Sequence, residues 1–196
     1  MHAPDVVLGW TLVPGHYQMP AYVPGGARAT VTIWDDRTRA TSKVRKPRDT
    51  QVLLLGCSFT YGWAISDDET YAWKLQERLP EVEILDAATS AYGTYQSLLR
   101  LERHLAGAAR PPAVVVYGLF GEHATRNVGD PRWIRVLSQM PDRGEVAVPY
   151  CQLDDRGDLA CIEPALRDTL ASVAARGAPS NGRRRMAVAR SPRRGR

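Results

Sequence analysis

An α/β domain with a parallel sheet is the fold class that the sequence predicts. Three short apolar runs, at residues 51–56, 82–86 and 113–118, each end at a turn or loop, and helical patterns separate them. Runs of this length are typical of buried strands. Strands that alternate with helices in this way favour right-handed crossovers within one parallel sheet. The loops that follow the three strands should therefore meet at one edge.

The first 50 residues are expected to form a β-rich extension before this domain. They are rich in proline, glycine and β-forming residues, and residues 27–34 alternate between small or apolar and polar side chains. Asp35 and Asp36 follow as a turn signal, which predicts a strand or a small hairpin. We place the α/β domain at residues 51–175.

Two helices are predicted between the strands. Ser66 and Glu69 have the spacing of a capping box, so the first helix should begin near Asp67. The second is expected over residues 94–105. The predicted buried stripes are Tyr71, Leu75 and Leu79 in the first helix and Leu98, Leu101 and Leu105 in the second.

An antiparallel hairpin is predicted after the third strand. Residues 145–153 and 158–162 flank the turn sequence Asp-Asp-Arg-Gly at residues 154–157. A helix is expected to start in residues 163–175. Residues 176–196 are rich in glycine, proline and arginine without apolar periodicity, so we expect a disordered, arginine-rich tail there.

The composition favours a soluble chain with its own core. Its 196 residues are 44% apolar, which suffices for one domain, and no apolar run approaches the length of a membrane span. The N-terminus lacks the basic start and long apolar region of a signal peptide. Three cysteines, Cys57, Cys151 and Cys161, form no Cys-x-x-Cys pair, which favours a reducing compartment over a disulfide framework. We therefore expect a cytoplasmic protein.

The positive net charge comes from the C-terminal tail. The chain has a formal net charge of +5, and residues 183–196 contain seven arginines and no acid, so the rest carries +5 − 7 = −2. A basic tail attracts phosphate backbones without sequence preference. No nucleic-acid-binding module accompanies it, so we expect no specific nucleic-acid partner.

Residues 56–62, Gly-Cys-Ser-Phe-Thr-Tyr-Gly, place a serine where open α/β sheets hold their reacting groups. This segment resembles the first signature of SGNH (GDSL-type) hydrolases, usually Gly-Asp-Ser-Phe-Thr-x-Gly. Residues 91–96, Ala-Tyr-Gly-Thr-Tyr-Gln, are similar to that family's Gly-Tyr-Gly-Thr-x-Gln. Residues 117–127 occupy the place of its third signature, and residues 8–15 resemble the lead-in of many bacterial members. The resemblance covers residues 5–165.

The resemblance implies a three-layer α/β/α, flavodoxin-like fold that is incomplete at its C-terminal end, and ester hydrolysis by a serine nucleophile. Ser58 maps to the nucleophile, and the backbone amides of Ser58 and Gly93 map to two oxyanion donors. Asn127 is a candidate for the third donor and His123 for a substitute base. The implied partner is a small-molecule acyl ester or an acetylated carbohydrate. Neither a metal nor an organic cofactor is implied, and the oligomeric state stays open.

The chain departs from the family pattern at several catalytic positions. Cys57 replaces the usual aspartate, and Phe120 stands where the third signature has its asparagine. The Asp-x-x-His segment that supplies the family's base does not occur in the sequence. Without an oriented base, a serine hydrolase loses several orders of magnitude in rate. A catalytically inactive relic or ligand-binding module is therefore the alternative to an esterase.

A frameshift or a truncated gene would explain the missing segment. Arginine outnumbers lysine 23 to 3, as a GC-rich coding sequence produces, and half of the last 14 residues are arginine. The hypothesis expects an Asp-x-x-His segment in another reading frame of the downstream DNA.

Each candidate residue also has a purely structural interpretation. Ser58 follows a strand, where turn and helix-cap serines are common, and Gly93 suits a left-handed turn. His123 and Asn127 suit hydrogen bonding within their own loop. Three tryptophans either line an acyl or sugar pocket or pack in the core, namely Trp10, Trp34 and Trp63.

Overall fold

The computed structural model of the protein describes residues 1–139 and 148–162, and the backbone of residues 184–185. Two antiparallel strand pairs form the N-terminal part. Their strands are β1 (His2–Asp5), β2 (Gly9–Leu12), β3 (Gly15–Met19) and β4 (Ala29–Ile33). Strand β1 pairs with β2, and β3 pairs with β4.

Strand β4 has the alternation that the sequence predicts. Its core-facing side chains, which are all buried, are Ala29, Val31 and Ile33. Thr30 is exposed and Thr32 half-buried. The chain turns back after this strand, where the Trp34 N–H bonds to the Thr38 carbonyl at 2.9 Å. The predicted strand and turn are thus confirmed, with β3 as the partner.

Three parallel strands form the central sheet. They are β5 (Gln51–Gly56), β6 (Glu83–Asp86) and β7 (Val114–Gly118). Strand β5 lies in the middle and pairs in parallel with β6 on one side and β7 on the other. This confirms the predicted parallel sheet. Flavodoxin-like sheets begin with this same order of strands, but the described residues add no fourth strand to this sheet.

Helices connect and follow these strands. They are α1 (Ser58–Tyr61), a 3-10 helix (Asp67–Glu69), α2 (Tyr71–Arg78), α3 (Thr94–Gly107), α4 (His123–Asn127) and α5 (Pro131–Ser138). None of the helices in the described part is long and apolar enough to cross a membrane.

The start predicted for the first long helix is wrong by several residues. Ser66 and Glu69 do form a capping box, but it opens the short 3-10 helix. Thr70 then adopts an extended conformation and caps α2, accepting a hydrogen bond from the Trp73 N–H at 3.1 Å. The interruption follows from Asp67, whose buried carboxylate bonds across to Arg39.

The predicted buried stripes are wrong in phase at their ends. Tyr71 is 46% exposed and Leu105 is 44% exposed. Leu75, Leu98 and Leu101 are half-buried, as is Leu79 just after α2. The fully packed apolar positions are instead Ala72, Trp73, Tyr95 and Leu99. In α3, packing against the N-terminal part sets this phase, whereas Ala72 of α2 packs on the central sheet against Leu54 and Ile84. Hydrophobic spacing alone does not encode either set of partners.

Buried polar side chains explain part of the shift in α3. Gln96 is 1% exposed and donates to the Leu8 carbonyl at 2.8 Å. Arg100 is also buried and donates to the Asp36 carbonyl at 3.1 Å. Burial is favourable for these groups because they find backbone partners.

Strand β7 is the edge of the described sheet, and its valines are exposed. Val114, Val115 and Val116 are 42–50% exposed. Because successive side chains of a strand point to opposite faces, the described residues leave both faces of β7 partly open. The expectation of a buried third strand is therefore wrong for this part of the chain.

The predicted hairpin is present as β8 (Tyr150–Leu153) and β9 (Leu159–Ile162). Residues 145–147, the predicted helix at 163–175 and most of the tail lie outside the described residues. Within the tail, a two-residue strand, β10 (Arg184–Arg185), pairs with β9.

A disulfide joins the two strands of this hairpin. Cys151 and Cys161 lie opposite each other in register, with their Cα atoms 4.0 Å apart, and their sulfurs are bonded. The expectation of unpaired cysteines is therefore wrong for these two. A separation of ten residues in the sequence does not show that two cysteines lie opposite each other on neighbouring strands. Cys57 is free and fully buried, as expected of a small core residue.

A buried arginine ties the N-terminal part to the α/β domain. The Arg39 side chain is inaccessible to solvent, and its Nε donates to Asp67 Oδ1 at 3.0 Å. Its two other nitrogens donate to three carbonyl oxygens, those of Tyr61, Gly62 and Ile65. The guanidinium group thus fixes the segment that follows α1.

Asp86 ends β6 with a fully buried carboxyl group. Its Oδ1 accepts from the Ala88 N–H at 3.1 Å, and its Oδ2 has no partner among the described residues. Burial raises the pKa of Asp86 to about 7, against the opposing effects of the Ala88 hydrogen bond and the Arg39 charge. The neutral form is therefore favoured in the folded protein below that pH.

We predict that Asp86→Asn removes a fall in stability with rising pH. The folded-state pKa is about 7 and the reference value is 3.8, so between these values the folded state binds more protons than the unfolded state. The contribution of Asp86 to the free energy of unfolding should therefore fall across this range and level off above it. The difference in slope between the wild type and Asp86→Asn isolates this contribution from that of His123, which has the opposite sign. Asparagine keeps the acceptor for the Ala88 N–H and does not ionise.

Urea unfolding at pH 5, 6, 7 and 8 measures this slope. Asp155→Asn, in the exposed hairpin turn, controls for the removal of one carboxyl group. An equal slope in the wild type and in Asp86→Asn would contradict the prediction.

Candidate active site

Ser58 is the first residue of α1, immediately after the central strand β5. The helix has a single turn and ends at Gly62, whose φ of 76° lies in the left-handed region that glycine favours. Ser58 is half-buried, and its hydroxyl has no hydrogen-bond partner among the described residues. The serine is thus held at the carboxyl edge of the sheet with its hydroxyl unengaged.

Two glycines let α1 lie directly on the strand ends. Gly56 and Gly118 are opposite each other in register, at the ends of β5 and β7. A Cβ atom on either glycine would overlap with Oγ1 of Thr60. Thr60 is buried, and its hydroxyl forms a hydrogen bond with Tyr71. The missing side chains therefore create the space that positions α1 and Ser58.

Gly93 precedes α3 as its N-cap, in the loop that follows β6. Its backbone is extended, so the left-handed turn expected here is wrong; Ala91, with φ 72°, is the left-handed residue of this loop. A Cβ atom on Gly93 would lie 2.7 Å from Asn127 Oδ1 and 3.0 Å from Arg126 Cβ. Close approach of α4 is what requires glycine.

The Gly93 amide is already engaged. Its N–H donates to Gln96 Oε1 at 3.1 Å. The amide would therefore have to exchange this partner before it could stabilise an oxyanion. The donor role of Gly93 stays a prediction.

Asn127 ends α4 and anchors it to α3. Its Oδ1 accepts from the Tyr95 N–H at 3.1 Å. This contact is the local anchoring that the sequence suggests. Because the oxygen is held, the Nδ2 group is the part of the amide that remains to donate to a ligand.

His123 is almost fully buried in the loop region after β7, and its Nδ1 hydrogen-bonds with the Tyr117 hydroxyl. Tyr117 also bonds to Thr94 Oγ1 at 2.9 Å. The Phe120 N–H points to the same Nδ1 at 3.4 Å. Because a backbone N–H only donates, we assign Nδ1 as the acceptor and place the proton on Nε2.

This environment makes His123 a poor general base. Burial and the charge of Arg126 lower the pKa of His123 to about 4, so the imidazole is neutral at pH 7. Its one free lone pair is occupied by the Tyr117 hydroxyl. His123 therefore acts as a hydrogen-bonding group of this loop.

Contacts between side chains join the three loops at the carboxyl edge. The rings of Phe59 and Phe120 lie 4.6 Å apart between centroids, which connects α1 to the loop after β7. The Tyr117–Thr94 hydrogen bond connects that loop to the start of α3. The loops that carry Ser58, Gly93 and Asn127 are therefore neighbours.

The tryptophans fall into different environments. Trp10 is fully buried and donates to the Ser90 carbonyl at 3.1 Å, so it is a core residue. Trp63 is 44% exposed and contacts Tyr22. Trp34 lines a cleft of about 930 Å³ on the N-terminal strands.

Sequence reasoning missed several residues of this site. Tyr117, Thr94 and Gln96 form hydrogen bonds that organise the loops, and none of them was singled out for this role. A tyrosine at the last position before a strand-ending glycine is a signal for Tyr117. The described residues contain no group of three side chains suited to hold a metal ion.

Comparisons with known proteins give little guidance. No protein-family model matches the chain, and no curated protein matches it. Among solved structures, the chain is similar to AlinE4, an SGNH-hydrolase family esterase, with 21% identity and a TM-score of 0.37. Two single-residue variants of AlinE4 match at 20–21% identity with TM-scores of 0.36–0.37.

The chain spans 59% of the length of AlinE4, and the match covers 53% of this chain. Similarity at this level assigns neither a fold nor an activity to the chain.

We predict that Gly118→Ala destabilises the protein through its overlap with Thr60. Over-packing of this kind costs about 1–3 kcal/mol in the free energy of unfolding. Thr60→Ala removes the overlapping hydroxyl and leaves the new methyl group at an ordinary 3.5 Å from the Thr60 Cβ. The double variant should therefore lose less stability than the sum of the two single variants.

A double-mutant cycle by urea unfolding tests this coupling. Gly56→Ala is the matched control, because its φ of 150° and a 3.0 Å contact with the Thr60 Cβ remain after the hydroxyl is removed. Losses for Gly118→Ala and Thr60→Ala that add to within about 0.5 kcal/mol would contradict the proposed overlap.

Proposed function

We propose that the chain is a serine ester hydrolase domain of SGNH type that acts on small acyl esters or acetylated carbohydrates. The observation that carries the proposal is the position of Ser58, on a one-turn helix at the carboxyl end of the central parallel strand. Its hydroxyl is unengaged by described residues and lies beside the loops of Gly93 and Asn127. Open α/β sheets hold reacting groups at this edge.

In this proposal, the Ser58 oxygen attacks the ester carbonyl carbon and loses its proton to a base. The carbonyl π electrons move to the oxygen, which becomes an oxyanion. The Ser58 amide is a suitable donor to this oxyanion, because the first residue of a helix has no intrahelical partner for its N–H. Asn127 Nδ2 supplies a second donor, and the Gly93 amide a third after release from Gln96. The ester C–O bond then breaks, and the alcohol leaves with the proton that the base took from Ser58. Water next attacks the acyl-serine, so that the free acid leaves and the serine oxygen regains a proton.

The described residues do not provide the base. The pKa of His123 is lowered to about 4, which makes its imidazole a weak base, and the Nδ1 lone pair is engaged by Tyr117. Removal of the triad base lowers the rate of serine hydrolases by several orders of magnitude. We therefore expect slow turnover of activated esters from this chain.

A ligand-binding module without catalysis is the second candidate. It is favoured by Phe120, which stands where the resemblance expects an asparagine and stacks against Phe59 beside the serine. The engaged Gly93 amide favours it as well. Phe120 places an aromatic ring where an ester hydrolase has a donor, and Gln96 occupies the Gly93 amide that would serve as another.

We predict that a fluorophosphonate probe labels Ser58. The serine oxygen bonds to phosphorus and fluoride leaves, so labelling reports a reactive hydroxyl without requiring complete turnover. Mass spectrometry of the labelled peptide identifies the residue. Labelling should be slow but saturable, because donors are present without an oriented base.

Ser58→Ala should abolish labelling, and Ser138→Ala, which alters an exposed serine of α5, should not. Circular dichroism establishes that each variant is folded. Absence of labelling in folded wild-type protein would reject the hydrolase and support the ligand-binding alternative.

A further inference from the structure

Three buried N–H groups near the candidate active site have no acceptor among the described residues. They are His123 Nε2, Arg126 Nε and Trp133 Nε1, all within eleven residues of the chain. Buried polar atoms in folded proteins are nearly always paired, so unpaired ones call for an explanation. All three unpaired atoms are hydrogen-bond donors, so a single group with several acceptor oxygens could pair with them.

The three side chains form one cluster. The Arg126 guanidinium lies 4.7 Å from the centre of the Trp133 ring and 5.8 Å from that of Phe120. The Phe120 ring in turn packs edge-on against His123, with 6.1 Å between centroids. Phe120 is only half-buried, so the cluster lies one side chain below the surface.

The cluster carries a positive charge that no carboxylate of the described residues pairs with. Arg126 is 8% exposed and forms no ion pair with a described residue. One of its nitrogens donates to the Tyr92 carbonyl at 3.0 Å, which satisfies that N–H but does not neutralise the charge. Arg39, by contrast, has the carboxylate of Asp67. An unpaired buried charge is costly, and an anion would relieve the cost.

Its position places the cluster next to the candidate active site. The Arg126 Cβ would contact a side chain on Gly93, and the adjacent Asn127 is bonded to the start of α3. An anion held by Arg126 would therefore lie beside the loop that carries the proposed oxyanion donors.

We propose that His123, Arg126 and Trp133 form a binding site for a small oxyanion, of which a carboxylate is one example. Two charge-neutral N–H donors and one guanidinium N–H match the acceptor oxygens of such a group. The site does not require the Ser58 hydroxyl. Under the proposed function, the carboxylate is the acid released from an ester; otherwise it is a free anion such as phosphate.

Titration of the folded Ser58→Ala protein with sodium acetate, butyrate or phosphate, against sodium chloride at equal ionic strength, tests the proposal. The chain has five tryptophans, so nitrogen–proton NMR resolves five indole N–H signals. The signal that is absent in Trp133→Phe should move with a saturable dependence on the oxyanion. The midpoint temperature of thermal unfolding should rise by about 4–8 °C at an anion concentration of thirty times Kd.

Arg126→Gln should lower the affinity for the anion by about tenfold or more, because it removes the charged donor. Arg132→Gln removes an equal charge from the exposed face of α5 and should leave affinity unchanged. Trp133→Phe keeps an aromatic ring at this position and removes the N–H together with part of the indole, so it tests the site if Arg126→Gln fails to fold.

Saturable binding that Trp133→Phe weakens and Arg132→Gln does not would support the site. Tighter binding of acetate and butyrate than of phosphate would identify an acid product as the ligand. Tighter binding of phosphate would identify a free inorganic anion. Absence of a saturable shift, or equal losses in Arg132→Gln and Arg126→Gln, would overturn the proposal. The titration uses the Ser58→Ala protein, so it tests anion binding independently of the serine. Failure of fluorophosphonate labelling in the wild type would reject the hydrolase without rejecting the anion site.

Discussion

The buried guanidinium of Arg39 is the interaction on which the geometry around Ser58 depends. It lies between the N-terminal strands and the α/β domain, paired with Asp67, and it binds the carbonyl oxygens of residues 61, 62 and 65. Those carbonyls belong to the end of α1 and the segment after it. Because removing one partner of a buried ion pair costs about 3–5 kcal/mol, this position tolerates little change. The N-terminal extension is thus part of what fixes the candidate nucleophile.

Arg39 fixes the end of α1 and the segment after it, and the glycine pair fixes the contact of α1 with the strand ends. Thr60 occupies the space that Gly56 and Gly118 leave at the ends of β5 and β7. The close fit of Thr60 against the two glycines therefore positions α1 on the strand ends. The buried charge of Arg39 positions the segment that follows α1. Ser58 is the first residue of the helix that these two constraints position.

The sequence predicts those parts of the fold that depend on local patterns. The apolar runs of β5 and β6 and the turn at residues 154–157 are of this kind, and each is present. Burial of Gln96 and the pairing of Cys151 with Cys161 depend on partners distant in the chain or on strand register. Local patterns contain no information on either.

The same division applies to the candidate site. The motif around Ser58 and the glycine before α3 are visible in the sequence, because turns and close approaches restrict residue type. The sequence does not show whether each donor or acceptor is already engaged, because this depends on neighbours. Gln96 engages the Gly93 donor, and Tyr117 engages the acceptor nitrogen of His123. The Ser58 amide and Asn127 Nδ2 remain as candidate donors near the serine. Such an edge suits binding of negatively charged oxygen better than deprotonation of a hydroxyl. A base within reach of Ser58 is thus the group that the described residues lack for hydrolysis.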